Sequence, residues 1–424
     1  MDTPICDFVR RYADSGVLRL HMPGHKGQGT LERLDITEVA GADSLYEADG
    51  IIAQSEKNAS ALFGCPTFYS TEGASQCIRA MLHLATCGRG KKIAAGRNAH
   101  KAFLTAAALL DLDVFWLYGS GNESYLSCTI TAADVAALPE DVAALYVTSP
   151  DYLGNMADVA ALAEACHEKD ILLLVDNAHG AYLRFLKPSL HPMDLGADLC
   201  CASAHKTLPV LTGGAYLHIR DEKLAAGAKN ALALFGSTSP SYLVLQSLDG
   251  VNRYLSDGYA EKLEALVAAL CGCKARLGLP TGEPMKLTIP AKAWGYTGTE
   301  LAQLLREKGI ECEFADPEYL VLMPTPEMEL NVLEEVLEKI PHKAPLHDTP
   351  PEFSRPEKVR SIRDALLAPG RVVPVAESLG QILASPSVGC PPAVPMIVCG
   401  ERIDEAAIAC FRYYGMETCT IAEK

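Results

Sequence analysis

No run of lysines or arginines occurs in the 424 residues, and acidic side chains outnumber basic ones by 53 to 37, for a formal charge of −16. Without a basic patch the chain has little with which to neutralise a phosphate backbone, so nucleic acid is not expected as a partner. The negative surplus can draw in a cationic substrate over long range, although the same charge serves plain solubility. Also missing is any stretch approaching eighteen uncharged apolar residues. Met1-Asp2-Thr3-Pro4 supplies neither a basic nor an apolar leader, so the expectation is a soluble, cytoplasmic protein with no membrane segment. No CxxC pair exists among the 15 cysteines, which removes the usual zinc and dithiol patterns. Cys271-Gly272-Cys273 lies in a helical apolar pattern, and small buried thiols in a reducing compartment are the expectation for the set. No metal site is expected, and no internal repeat or low-complexity tract is present.

With 49% hydrophobic and 21% charged residues, the composition is that of an ordinary globular chain of two to three domains. From about residue 60 to 220, short apolar runs alternate with longer helical patterns, the mark of an α/β domain with a mostly parallel sheet. Val142 to Thr148 reads as a buried strand, Ala157 to Lys169 as a helix and Ile171 to Val175 as the next strand, together one βαβ unit. After about residue 250 helices are expected near Tyr259 to Arg276 and Glu300 to Lys308, and strands near Met285 to Ile289, near Ile310 and near Tyr319 to Met323. Ser361 to Leu367 and Asp404 to Tyr413 read as further helices. The expected division is an N-terminal segment 1–60, a large domain 61–250 and a smaller C-terminal α/β part 251–424, with a proline-rich linker at 340–357.

The chemistry concentrates in Val175-Asp176-Asn177-Ala178-His179-Gly180 and Ser203-Ala204-His205-Lys206-Thr207, each just after an apolar run. Ligands of such sheets bind beyond the carboxyl ends of the strands. A lysine amine able to form a Schiff base, and a carboxylate able to keep a ring nitrogen protonated, are the two groups that pyridoxal phosphate requires. A phosphate needs donors, and Ser70-Thr71-Glu72-Gly73-Ala74 precedes the helical run Gln76 to Ala85, offering hydroxyls and backbone N–H groups at a helix start. Taken singly, each piece has a plainer reading. Asp176 could be a cap, Lys206 an exposed lysine, and the Ser/Thr/Gly turn a helix start. Their joint occurrence at strand ends carries the argument.

The ordered series resembles the bacterial ornithine/lysine/arginine decarboxylases, a branch of the fold-type-I pyridoxal-phosphate enzymes. It runs from Pro23-Gly24-His25-Lys26-Gly27 through Arg97-Asn98-Ala99-His100-Lys101, Thr148-Ser149-Pro150-Asp151, the Asp176 and Lys206 motifs and Ser237-Thr238-Ser239-Pro240 to Pro391-Pro392-Ala393-Val394-Pro395 and Gly400-Glu401. The resemblance implies an α/β architecture with a large cofactor domain, in a short form without an N-terminal wing domain. It implies decarboxylation of lysine, arginine or ornithine to an amine feeding polyamine metabolism. Lys206 would carry the cofactor, Asp176 pair with its ring nitrogen, His100 stack on one ring face and Ala178 on the other. His179 and His205 would flank it, and Ser203 would bind phosphate with Ser70, Thr71, Glu72, Gly73 and Ala74. His205 or Lys206 would return a proton to Cα. Thr238 would reach the phosphate of a neighbouring subunit, which implies a homodimer or higher assembly with shared sites.

Three positions depart from the family pattern: Glu72 beside the expected phosphate, Ala102 where serine is usual, and Ala393 where glycine is usual. Other readings stay open. An aminotransferase would use an arginine clamp such as Arg360, Arg363 or Arg371, and a lyase or a non-catalytic cofactor binder is also compatible with the residues. Asp43, Glu47, Asp49 and Glu401 are the candidate acceptors for a substrate's distal cation.

Overall fold

The computed structural model describes residues 1–119, 124–353, 355–386 and 393–423. Two compact units emerge, one from Met1–Arg89 with Val159–Leu263, the other from Gly90–Asp158 with Glu264–Lys424. Pro391 and Pro392 of the C-terminal motif lie outside the described residues.

Seven strands come first along the chain: β1 (Thr67–Ser70), β2 (Lys92–Gly96), β3 (Asp113–Leu117), β4 (Ala144–Thr148), β5 (Leu172–Asp176), β6 (Leu199–Ala202) and β7 (Ala215–Ile219). In the first unit the order is β1-β7-β6-β5, with β5 and β6 parallel and β7 antiparallel to both its neighbours. In the second unit β2 lies between β3 and β4, parallel to both. The second unit also holds β8 (Leu287–Pro290), β9 (Phe314–Ala315) and β10 (Tyr319–Leu322) as a sheet of order β8-β10-β9, and β11 (Gly370–Pro374) paired with β12 (Thr418–Ala422). No helix among the described residues is long and apolar enough to cross a membrane.

The expected strand, helix and strand form as β4, the helix Val159–Glu168 and β5. The strand expected near Ile310 does not include Ile310 itself. Gly309 turns with φ +77, and the Ile310 N–H bonds back to the Leu305 carbonyl at 2.9 Å. That bond closes the C-terminus of the helix Gly298–Glu307 and removes Ile310 from a ladder, so the short strand falls later, at Phe314–Ala315.

In the first unit the helix Pro4–Asp14 starts at Thr3, whose side chain makes no capping bond. Asp249, fully buried, does that work from 243 residues away, accepting the Cys6 N–H at 2.9 Å and the Ser55 hydroxyl at 2.6 Å. Phe63 and His191 pack with Tyr216 and His218 of β7 in a buried aromatic cluster. Burial pushes the His191 imidazole down to about 4 and His218 well below its usual value, and the Nε2 atoms of both lack hydrogen-bond partners.

Each histidine is neutral when folded and takes a proton near pH 6.5 when unfolded, so their stabilising share is complete above pH 6.5 and is lost below it, for His191 as pH falls towards 4. For His191 the loss at pH 4 is about 3 kcal/mol. Urea unfolding across this range should show His191→Gln losing less stability than the parent on acidification. Equal slopes would rule out the histidine's part in acid lability.

In the second unit Ala393 stands with φ +59, the left-handed region that costs a residue with a Cβ roughly 1 kcal/mol or more. This backbone angle is the physical reason glycine suits the position. The Ala393 carbonyl accepts the Lys101 N–H at 2.8 Å, which ties that turn to the start of the helix Lys101–Leu110.

Candidate active site

Strand register brings the first unit's chemistry to one sheet edge. Ser70 pairs with Ala215, Ala202 with Tyr216, and Asp176 with Cys201. The carboxyl ends of β1, β6 and β5 therefore lie side by side with the start of β7. With strands about 4.8 Å apart, three spacings separate Ser70 from Asp176 by roughly 14 Å. A ring with a phosphate arm can span such a gap with a hydrogen bond at each end.

Asp176 ends β5 and is buried. Its Oδ1 accepts the Ala178 N–H at 3.1 Å and the Cys201 thiol at 3.5 Å. The Asp176 carboxylate and burial together drive the Cys201 thiol well above its usual range, burial being the larger cause, so the sulfur stays protonated and donates. Lys206 lies in the short helix Ala204–Thr207 that follows β6, with Nζ 3.0 Å from Nε2 of His179. An ammonium only donates, so Nε2 is the acceptor when Lys206 is charged. His205 donates from Nδ1 to the Gly214 carbonyl at 3.0 Å, and its own N–H bonds the same oxygen. Ser203 is buried at the helix start and makes no capping bond there.

The turn after β1 meets this arrangement at the neighbouring carbonyl, because the Gly73 N–H donates to Gly213 at 2.7 Å. Gly213 has φ +97, and a Cβ there would lie 2.7 Å from the Thr71 carbonyl oxygen; only glycine lets the two turns close. Gly73, at φ +73, opens the helix Ala74–Thr86, and no side chain caps that helix. A Cβ on Gly73 would meet nothing within 4 Å, so the helix start faces open space. Ser70 is engaged internally, donating to Gln76 Oε1 at 2.5 Å and accepting the Glu72 N–H at 3.1 Å. Glu72 Oε1 accepts the backbone N–H of Ser237, which orients the carboxylate towards the 236–239 loop. Thr238 in that loop is exposed.

His100 belongs to the second unit, where it is the N-cap of the helix Lys101–Leu110, its Nδ1 accepting the Ala102 N–H at 3.1 Å. Two of the candidate distal carboxylates have other work. Asp43 accepts the N–H groups of Gly50 and Ile52 at the start of the helix Ile51–Phe63. Glu401 is paired with Arg97 at 2.6 Å and the Val398 N–H at 2.7 Å, while Glu47 and Asp49 are exposed. Arg363 donates to the Ala108 and Leu109 carbonyls. Sequence reasoning missed Cys201 and the Gly213-Gly214 carbonyls. The only available signal was the adjacency of Cys200-Cys201 to the lysine motif, which does not say which strand lies alongside.

Residues 3–271 match the family described as Orn/Lys/Arg decarboxylase, major domain. The chain belongs to that family. Among its relatives are an arginine decarboxylase of Bacillus subtilis, 29% identical over 96% of this chain and 92% of the relative, and one of Halalkalibacterium halodurans, 29% identical over 97% and 93%. A lysine decarboxylase of Francisella novicida shares the fold at 16% identity with a TM-score of 0.78, covering 99% of this chain and 81% of that one. The architecture is the α/β fold of the fold-type-I enzymes.

The family implies pyridoxal phosphate, and the donor set fits it. An amine, an imidazole and a buried carboxylate line one sheet edge together with an uncapped helix start whose first residue leaves room for a phosphate.

Proposed function

We propose that this member of the Orn/Lys/Arg decarboxylase family uses pyridoxal phosphate to decarboxylate a basic amino acid, arginine being the first to test. The observation that carries the reading is the convergence of Lys206, His179 and Asp176 at the carboxyl ends of β5 and β6. The full-length similarity to arginine decarboxylases supports the substrate class. Pyridoxal phosphate, when bound, supplies an electron sink for the pair left at Cα as carbon dioxide departs.

In this reading Lys206 Nζ is the attachment point, and Asp176 keeps a proton on the ring nitrogen through a charge-assisted bond. Thr71, Gly73, Ala74 and Ser203 hold the phosphate, with Ser70 and Glu72 shaping the turn. His179 Nε2 shares a proton with Lys206 Nζ, and Lys206 or His205 delivers a proton to Cα. Ala178 would hold one ring face, and His100 is proposed for the other from the family resemblance alone. Incubating the purified holoenzyme with all common amino acids and weighing the products tests the reaction. Agmatine, cadaverine or putrescine is expected, whereas a keto acid would point to transamination and no product to a cofactor binder.

His100 has two duties in this reading, and two variants separate them. His100→Asn keeps a capping side chain and removes the ring, so cofactor affinity should fall roughly three- to tenfold, the worth of one stacked aromatic contact, with stability little changed. His100→Ala should add a loss of about 1 kcal/mol in unfolding free energy for the missing cap. Unchanged cofactor affinity in both variants would leave His100 as a helix cap alone.

We further propose a homodimer with Thr238 serving the partner's phosphate. The Glu72–Ser237 bond supports a fixed 236–239 loop with Thr238 exposed at its surface. Mixing inactive Lys206→Ala with inactive Thr238→Trp should restore activity on subunit exchange, because a mixed dimer then contains one wholly intact site. A mixture that stays inactive after verified exchange would assign Thr238 to its own subunit's site.

A further inference from the structure

Residues paired across neighbouring strands carry their side chains on one face of a sheet, and the next pair along carries them on the other. Asp176 pairs with Cys201, and Val175 with Cys200. The two adjacent thiols therefore have different surroundings. The Cys200 thiol turns to the backbone, 3.7 Å from the Cys201 carbonyl, whereas Cys201 Sγ lies 3.5 Å from Asp176 Oδ1. Cys201 has no exposed surface, and Asp176 is 2% exposed. Burial, and after it the Asp176 carboxylate, hold the proton on the Cys201 sulfur. This thiol is a donor and not a nucleophile.

A carboxylate turns about a broad, shallow torsion, so one contact leaves its plane soft. Asp176 Oδ1 has two donors from different parts of the fold. The Ala178 N–H reaches it at 3.1 Å from two residues along the same chain, and the thiol reaches it from β6. Together they fix a plane that either alone would let swing. The strand Leu199-Cys200-Cys201-Ala202 is wholly buried, and packing alone would be met by any small apolar side chain at 201. The thiol adds direction. Being a weak donor, it orients the carboxylate without competing strongly for its charge, and a preorganised charge is what an electrostatic contact to a ring nitrogen demands.

We propose that Cys201 is a positioning residue for the cofactor's ring nitrogen, acting through Asp176: its thiol and the Ala178 N–H together set the carboxylate plane that the nitrogen meets. This rests on the cofactor reading given above and not on which amino acid is decarboxylated.

The test measures equilibrium binding of two probes to the apo-protein, pyridoxal phosphate and its deaza analogue, in which a C–H replaces the ring nitrogen. All contacts except the one to Asp176 are common to both, so the ratio of their affinities reports that contact. In the parent, pyridoxal phosphate should bind at least about tenfold tighter than the analogue, the worth of one hydrogen bond to a charged group. Cys201→Val, which keeps an apolar side chain of similar size and removes the donor, should shrink the ratio about threefold. Cys201→Ala should do the same without the risk of overpacking. Cys201→Ser supplies a hydroxyl donor and should restore the ratio. A residue that only fills space would weaken both probes equally or lower the melting temperature, with the ratio as in the parent, and that outcome overturns the proposal. So does a ratio near one in the parent, or one that serine fails to recover. A parent that binds neither probe overturns the cofactor reading itself, whereas tight binding of pyridoxal phosphate with the same ratio in every variant removes only the role of Cys201. Because binding is read without turnover, a chain that decarboxylates nothing leaves this test intact.

Discussion

Lys206→Ala is expected to give a folded protein that holds no covalently attached cofactor and turns over at least about a thousandfold more slowly than the parent. The amine has two duties in the proposed reaction, as attachment point and as one end of the proton-sharing pair with His179 Nε2, 3.0 Å away. Alanine removes both. The fold should survive, because the short helix Ala204–Thr207 is held by backbone bonds, Leu208 to Ala204 at 2.8 Å and His205 to Gly214 at 3.2 Å, and not by the lysine side chain. Borohydride reduction of the parent, followed by peptide mapping, should locate the pyridoxyl group on Lys206. A label on any other lysine, or appreciable turnover by the alanine variant, would overturn the assignment.

Asp176→Asn should leave folding nearly intact and lower kcat roughly 10²–10³-fold, the range for loss of one preorganised electrostatic contact. The amide oxygen can still accept the Ala178 N–H and the Cys201 thiol that orient the carboxylate, so the side chain should stay in position. What it loses is the negative charge that, in the proposed reaction, would keep a ring nitrogen protonated, and with it the electron sink. KM should change far less than kcat, because binding the substrate does not depend on that proton. A variant with near-parental kcat would reduce Asp176 to a turn residue. A collapse of stability with kcat would mean the charge is needed by the fold instead.

How far these sites could be read in the primary structure depends on how local their determinants are. The apolar runs that end at Asp176 and before Ser203 announce strands, and the ordered motifs around them announce a cofactor edge, because alternation of buried strand and helix is written into a dozen consecutive residues. The capping of the helix Lys101–Leu110 by His100 is equally local, since capping acts over two or three positions.

The sequence by itself thus determined the α/β class, the strand that ends in Asp176, the lysine that follows the next strand, and the family to which the chain belongs. Tertiary structure alone decided which of the remaining candidates were available for chemistry. Ser70 was taken by Gln76, Asp43 by the N–H groups of Gly50 and Ile52, and Glu401 by Arg97 from 304 residues away. It also decided that Cys201 would donate to Asp176 and that Gly213 and Gly214 would join the two turns. The reason is physical. A strand's propensity is a property of its own residues, but a hydrogen-bond partner is fixed by register and packing between segments far apart in the chain, and no local pattern records which donor arrives first.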